Sequence, residues 1–135
     1  MLRTAALLCF GLVACSGSGP ADPPPSAGSG AESAISLRND TAAPIVFIAA
    51  GEGTLALLSI PPRLPAEEFG DRLVPAGRAV PVEDIIGYLP DLGVNFYIYR
   101  VDRSRGDAAF AGTFLATAAE LARTGGLVTV SPSRF

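Results

Sequence analysis

The segment from Ser16 to Ala34 restricts the fold of this chain more than any other feature of the sequence. Seventeen of its nineteen residues are Ser, Gly, Pro or Ala, and the other two are Asp22 and Glu32. It has no larger apolar side chains whose burial would offset the entropy of ordering the backbone, so we expect a disordered tether. A packed core must therefore form between Ile35 and Phe135, where about 100 residues are enough for one domain.

Turn-forming residues divide this domain into short apolar runs, which is typical of an all-β protein. In the clearest run, Val94–Val101, alternate side chains would face opposite sides of a sheet. Phe96 and Ile98 would lie on one side, and Tyr97 and Tyr99 on the other. We predict an antiparallel β-sandwich of about seven short strands with one short helix near the C-terminus. The remaining strand segments are placed at 35–38, 45–50, 55–60, 72–74, 78–82, 108–115 and 127–130.

The turns predict which strands are neighbours. The Asn39-Asp40-Thr41 turn suits a hairpin between the first two strands, and Pro75-Ala76-Gly77 suits a turn between 72–74 and 78–82. Pro81 lacks a backbone N–H, which places its strand at a sheet edge. The run Ile45–Ile48 is apolar on both faces, which indicates a central strand.

One short helix is predicted from its end signals. Thr117 and Glu120 have the spacing of a capping box, in which the Thr side chain accepts from the third backbone N–H of the helix. Arg123 suits the negative C-terminal end of the helix dipole. Gly125 or Gly126 can supply the left-handed residue that ends the helix.

The first fifteen residues have the layout of a bacterial targeting signal. A single Arg precedes an apolar run that is about half as long as a membrane-spanning helix requires. The sequence Leu12-Val13-Ala14-Cys15 then resembles the lipobox of bacterial lipoproteins. The resemblance implies that Leu12, Val13 and Ala14 are the signal-recognition positions, and that cleavage before Cys15 leaves that residue to carry lipid.

This resemblance divides the chain into a signal peptide at 1–14, a lipidated Cys15 with its tether at 15–34, and the domain at 35–135. It implies a cell-envelope location, held to the membrane by lipid on Cys15, and in a diderm organism Ser16 after the Cys implies the outer membrane. The mature domain would contain no Cys, because Cys9 lies in the signal and Cys15 is acylated. Its stability must then come from its core rather than from a disulfide.

The domain itself resembles the small immunoglobulin-like or transthyretin-like β-sandwiches of some bacterial lipoproteins. The segments that carry this resemblance are 35–39 before a turn, 73–77 and 96–99. The family implies no particular activity, because one fold serves many functions.

The composition excludes several kinds of chemistry. All ten basic residues are Arg, and the chain has neither Lys nor His. Catalytic Ser-His, Cys-His and Ser-Lys pairs, Schiff-base lysines and His-ligated metals are therefore excluded, and no cofactor is expected. The formal net charge of -3 offers no basic excess for a nucleic-acid partner.

Two clusters of oxygen-bearing side chains are candidates for catalysis or metal binding. Glu67, Glu68 and Asp71 are the candidates for acid and base work in an envelope hydrolase, although adjacent loop carboxylates are more typical of a solvated face. The segment 102–107 has oxygen ligands at Asp102, Ser104 and Asp107 that suit a hard cation such as Ca²⁺. Its interleaved arginines fit a hairpin turn with local Asp–Arg pairing better.

Four apolar or aromatic residues are candidates for partner contact. Leu64 and Phe69 lie in a long Pro-rich segment, 61–70, which either exposes them for docking or folds back over the core. Tyr97 and Tyr99 form a sugar- or peptide-binding face, an ordinary outer face of the sandwich, or a second buried layer under the helix.

These observations favour a membrane-anchored, non-enzymatic binding or assembly module whose partner is another envelope protein or a glycan. The alternatives are the envelope hydrolase and a purely structural envelope protein.

Overall fold

The structure is a computed structural model that describes residues 34–57 and 59–135. The predictions for the signal, the lipidated Cys15 and the tether up to residue 33 lie outside the described residues. The domain is mainly β with one short helix near the C-terminus, as predicted. Among the described residues, no helix has the length and apolarity needed to cross a membrane. The strands are β1 Ser36–Asn39, β2 Ile45–Gly51, β3 Arg63–Pro65, β4 Leu73–Val74, β5 Ala79–Pro81, β6 Ile85–Ile86, β7 Val94–Asp102, β8 Asp107–Ala116 and β9 Leu127–Val130, and the helix is α1 Ala118–Thr124.

The strands form two mixed sheets, so the predicted antiparallel sandwich needs correction. A six-stranded sheet has the order β3-β8-β7-β2-β4, with β6 also paired to β2, and it curls into a half-barrel. A three-stranded sheet has the order β5-β1-β9. The pairs β1–β9 and β2–β6 are parallel, whereas the other pairs are antiparallel. The prediction that β2 is central and that the strand holding Pro81 is an edge is confirmed.

Neither predicted hairpin before residue 82 forms, because both turns carry the chain from one sheet to the other. Asn39 explains the first crossing: its side chain is fully buried and ties the turn to a distant strand. Its Nδ2 donates to the carbonyls of Ala43 at 2.8 Å and Val74 at 3.0 Å, while its Oδ1 accepts from the backbone N–H and the hydroxyl of Thr41. The Pro75–Gly77 turn has its Gly at positive φ, as predicted, yet it links β4 in one sheet to β5 in the other.

None of the described residues of the predicted strand at 55–60 lies in a strand, and residues 52–57 form a 3₁₀ helix instead. Strand β2 ends at Gly51, where the backbone of Gly87 approaches closely: an added Cβ at Gly51 would lie 2.2 Å from the Gly87 carbonyl oxygen. Glu52 then leaves the strand direction, and its carboxylate accepts from the N–H of Gly93 at 3.0 Å. Apolar content alone did not distinguish this turn from a strand.

The side chains of β7 alternate between the two faces of the six-stranded sheet as predicted, and both faces are covered. Phe96 and Ile98 lie in the larger core, between this sheet, the small sheet and α1. Tyr97 and Tyr99 lie in a second, smaller core on the opposite face, where a segment spanning residues 60–69, here called the covering segment, packs over them.

Helix α1 follows its predicted end signals, with one difference. Thr117 caps it by accepting from the N–H of Glu120 at 3.1 Å, and Gly125 ends it at φ 64°. The Glu120 carboxylate does not complete the capping box, because it binds the guanidinium of Arg134. Arg134 also lies 4.8 Å from the centre of the Phe114 ring, so the C-terminal turn is fixed against β8.

Candidate functional site

The structure places the four predicted partner-contact residues largely inside the domain. Leu64, Tyr97 and Tyr99 are buried and Phe69 is half-buried. The Tyr99 hydroxyl donates to the carbonyl of Pro61 at 3.0 Å, and burial raises the pKa of both tyrosines. The folded-back alternative for the Pro-rich segment is therefore the observed one, and these side chains do not form a docking face in this structure.

A bidentate ion pair fixes the covering segment to the sheet. Arg63 in β3 donates through Nε to Asp107 Oδ2 at 2.6 Å and through Nη2 to Oδ1 at 2.5 Å. The hydrogen bonds from Arg63 lower the pKa of Asp107, and the same pairing raises the pKa of Arg63. The predicted Asp–Arg pairing in this hairpin is thus made to an arginine 44 residues away rather than to a local one.

The carboxylates considered as Ca²⁺ ligands already accept hydrogen bonds from other protein groups. Both oxygens of Asp107 accept from Arg63, and Asp102 Oδ1 accepts from the backbone N–H and the hydroxyl of Ser104 at 3.0 and 2.6 Å. The Ser104 bonds lower the pKa of Asp102. Within residues 34–57 and 59–135, no three Asp, Glu, His or Cys residues are grouped to hold a metal ion.

The carboxylates considered for hydrolysis lie on the surface. Glu67, Glu68 and Asp71 are exposed, on two short 3₁₀ turns at 66–68 and 70–72. Asp71 borders a hollow of only about 30 Å³. That volume holds about one water molecule, so this hollow is too small for a sugar substrate.

A larger groove lies at the far end of the β7–β8 hairpin. Its cavity volume is about 820 Å³, and it is open to solvent along its length. Three parts of the chain that are distant in sequence meet there: the turn after Asn39, the end of the hairpin and the C-terminal residue. The lining residues are Ala42, Ala43, Pro44, Arg100, Val101, Asp102, Arg103, Ser104, Ala109, Phe110, Ala111 and Phe135.

Two aromatic side chains give the groove apolar walls that are held in place. Phe110 is 42% exposed, and its ring packs edge-on against Tyr99 with 5.5 Å between ring centres. Phe135 lies over Gly112, where an added Cβ would come within 2.5 Å of the Phe135 Cβ. The absent side chain at Gly112 thus makes the space that Phe135 occupies.

Two arginines supply the positive charge of the groove. Arg100 and Arg103 are exposed, and neither has a carboxylate within 4.0 Å among the described residues. The nearby Asp102 is hydrogen-bonded to Ser104 and lies 3.9 Å from the guanidinium of Arg63. The groove therefore presents two available guanidinium groups beside aromatic surface, in a chain whose overall charge is negative.

The groove and the start of the domain lie at opposite ends of the sheets. Strand β7 is nine residues long, which corresponds to about 27 Å at the usual rise per residue. The groove lies beside its last residue, Asp102. Ala34 lies beside Gly126, in a separate hollow with Pro90 near the first residue of β7. The described part of the domain therefore begins at the end away from the groove.

Sequence reasoning did not find this groove. Arg100, Phe110 and Phe135 occur in segments that were assigned to strands or to the chain end, and no local pattern links them. One available signal was Arg100 itself, because it is a charged residue within a mostly apolar strand. The other was Gly112, an isolated glycine within a strand, which often marks a close approach of another chain segment.

Comparisons with known proteins identify no relative of this chain. No protein-family model, no curated protein and no solved structure matches it. The geometry and charge of the described domain, together with the N-terminal sequence, are therefore the basis of the proposal that follows.

Proposed function

We propose that this protein is a lipid-anchored, non-enzymatic binding module of the cell envelope that recognises an acidic segment of a partner protein in the Arg100–Phe110–Phe135 groove. The lipobox-like sequence ending at Cys15 supports the anchor, and the composition of residues 16–34 supports a tether. The groove faces away from the start of the tether, so a partner could reach it while the domain remains at the membrane.

The pair of available guanidinium groups is the observation that carries this proposal. Arginine binds carboxylates through two parallel hydrogen bonds, a geometry that favours it at protein interfaces. Phe110 and Phe135 would exclude water from one side of such a contact, which strengthens the attraction between the charges. Arg100 and Arg103 are therefore the residues we expect to select an acidic segment.

The edge of β8 favours an extended polypeptide as the form of that segment. Strand β3 pairs with β8 only from Asp107 to Ala109, and no strand of the described residues pairs with the same edge from Ala111 to Ala116. An unpaired edge offers backbone N–H and C=O groups to an added strand. The groove contains the first residue of this free edge, so one extended segment could contact both.

Site-specific photo-crosslinking in the native host tests this function. A benzoylphenylalanine at position 110 is expected to crosslink a partner in intact cells, whereas the same residue at position 89, at the opposite end of the domain, is not expected to capture that partner. Charge reversal by Arg100→Glu with Arg103→Glu should reduce the crosslink at least tenfold. Arg78→Glu with Arg123→Glu, which reverses two exposed arginines outside the groove, is the matched control.

The identity of the crosslinked molecule decides between partner classes. An acidic protein segment whose binding weakens with added salt supports the proposal. A glycan at position 110, or a protein captured equally by the wild type and by the groove charge-reversal variant, would refute it.

A further inference from the structure

The two groove arginines have no carboxylate partner in the described domain, although the rest of the chain contains two carboxylates. Arg100 and Arg103 are exposed, and no Asp or Glu of the described residues lies within 4.0 Å of either. Outside the described residues, the acidic residues of the sequence are Asp22 and Glu32. These two side chains are therefore the remaining candidates of this chain for the groove.

Chain length separates the two carboxylates. Ala34 lies near the first residue of β7, and the groove lies about 27 Å further along that strand. Glu32 is two residues from Ala34, which allows a reach of about 7 Å and is too short. Asp22 is twelve residues from Ala34, and an extended chain of that length covers about 40 Å. Reach therefore admits Asp22 and excludes Glu32, but it does not by itself select the groove.

The residues around Asp22 match the apolar walls of the groove as well as its charge. Pro20 precedes Asp22 by two positions, and residues 23–25 are all Pro. Such a sequence favours the extended polyproline conformation, which loses little entropy on binding and docks in aromatic-lined grooves. The groove has aromatic walls in Phe110 and Phe135, whose exposed fractions are 42% and 36%.

The two smaller hollows described above do not offer this combination. The hollow beside Ala34 has no arginine among the described residues of its lining. The hollow beside Asp71 has one arginine, Arg72, among three carboxylates that would repel another acidic side chain. The paired arginines and the phenylalanine walls therefore distinguish the groove as the place where Asp22 and its prolines would bind.

We infer that residues 20–25 occupy the groove of their own chain, with the Asp22 carboxylate bound by Arg100 and Arg103, and that a partner must displace them. This inference deepens the proposed function, and the role it gives to the partner rests on that function. Because the contact is intramolecular, its effective concentration is in the millimolar range, and a millimolar affinity fills about half of the grooves. The sequence near Asp22 thus sets a threshold that an acidic partner has to exceed.

Photo-crosslinking within the purified full chain tests this contact. The chain is prepared in detergent without other proteins, with benzoylphenylalanine in place of Ser104, an exposed residue of the groove lining. We expect crosslinks to residues 20–25, identified by mass spectrometry of the digested product. The same group in place of Leu89, an exposed residue at the opposite end of the domain, should give at least threefold fewer crosslinks to residues 20–25.

Two isosteric substitutions separate recognition of the carboxylate from proximity. Asp22→Asn should reduce the crosslinks from position 104 to residues 20–25 at least threefold, because it removes the charge and keeps the shape of the side chain. Glu32→Gln removes the other carboxylate and should leave these crosslinks unchanged. Both positions precede the described domain, so a change in crosslinking is not caused by unfolding of that domain. Equal effects of the two substitutions would overturn the inference.

Mixing of isotopically labelled and unlabelled chains shows whether the contact lies within one chain. Crosslinks within one chain join two peptides of the same label. Products that join a labelled to an unlabelled peptide would show that a second copy occupies the groove, and they would overturn the inference.

Failure of the proposed function and failure of this inference give different results. If residues 20–25 occupy the groove, Asp22→Asn should at least double the capture of the partner at position 110 in intact cells. Unchanged capture, or no crosslink from position 104 to residues 20–25, overturns the inference and leaves the proposed function standing. Crosslinks to residues 20–25 in a chain that captures no partner contradict the proposed function, while the contact within the chain stands.

Discussion

Asn39 shows how one buried polar side chain can determine the path of a β-domain. Sequence patterns assigned it to a hairpin turn, because Asn-Asp-Thr is typical of turns. Its position is indeed a turn, but its amide also bonds the carbonyl of Val74, 35 residues away. That single contact ties the crossing between the two sheets to β4, and it depends on packing that no local pattern encodes.

The first prediction concerns the stability that this side chain contributes. Asn39→Ala leaves the Val74 carbonyl buried without that partner and removes the acceptor for Thr41, so the free energy of unfolding should fall by about 3 kcal/mol. Urea denaturation measures the change. Asp40→Ala removes only the exposed ion pair with Arg38 and should cost less than about 1 kcal/mol. Equal effects of the two substitutions would contradict the role assigned to Asn39.

Two glycines at the end of β2 allow a matched steric test. Gly51→Ala would place a methyl group 2.2 Å from the Gly87 carbonyl, and moving that backbone should cost about 2 kcal/mol or more. Gly53→Ala meets nothing nearer than a Leu92 methyl carbon at 4.0 Å, so stability should be unchanged or slightly raised. Thermal unfolding of the two variants distinguishes them, and a tolerated Gly51→Ala would refute the close backbone approach.

At the scale of single elements, the ion pair between β3 and β8 makes stability dependent on pH. Arg63 lowers the pKa of Asp107 in the folded chain, so this pair stabilises the fold above the ordinary carboxyl pKa of about 3.9. That contribution is lost as the pH falls through the lowered folded value. The stability difference between wild type and Arg63→Gln should therefore be present at pH 7 and shrink progressively below about pH 4.

Unfolding curves at pH 7 and pH 3 measure this change, and carbon-detected titration of the Asp107 carboxyl reports its pKa directly. Arg63→Gln should raise that pKa toward its usual value. Arg78→Gln, at an exposed arginine with no carboxylate within 4.0 Å among the described residues, should leave both measurements unchanged. A pH dependence that is the same in all three proteins would show that the pair contributes nothing to it.

The elements that could be predicted from the sequence are those specified by neighbouring residues. Helix α1 has its cap and its terminal glycine within nine positions, and the β7–β8 hairpin closes through a short polar turn that ends at Gly106, φ 68°. The parallel β1–β9 pair could not be predicted, because its strands are about 90 residues apart in sequence. The 3₁₀ helix at 52–57 was not predicted, because local apolar content does not distinguish such a segment from a strand.

At the scale of the whole molecule, the candidate site was the least predictable feature. The partner-contact residues chosen from the sequence were aromatic and apolar, and the fold used most of them to build a second core under the covering segment. The groove instead combines Pro44, Arg100 and Phe135, whose separation in sequence hides their proximity. What the sequence could predict at this scale was a mainly β domain with one short helix near the C-terminus.

The groove and the start of the described domain lie at opposite ends of the molecule. Ala34 lies near the first residue of β7, and the groove lies beside the last residue of that strand, about 27 Å further along. The proposed location at the membrane depends on one covalent event, which is the acylation of Cys15.

Intact-mass spectrometry of the protein isolated from its native envelope tests that event most directly. The account predicts a mature chain that begins at Cys15 and carries the added mass of a diacylglyceryl group, and Cys15→Ala should lack that mass and leave the membrane fraction. A mature chain that retains residues 1–14, or a Cys15 without acyl mass, would contradict the central claim.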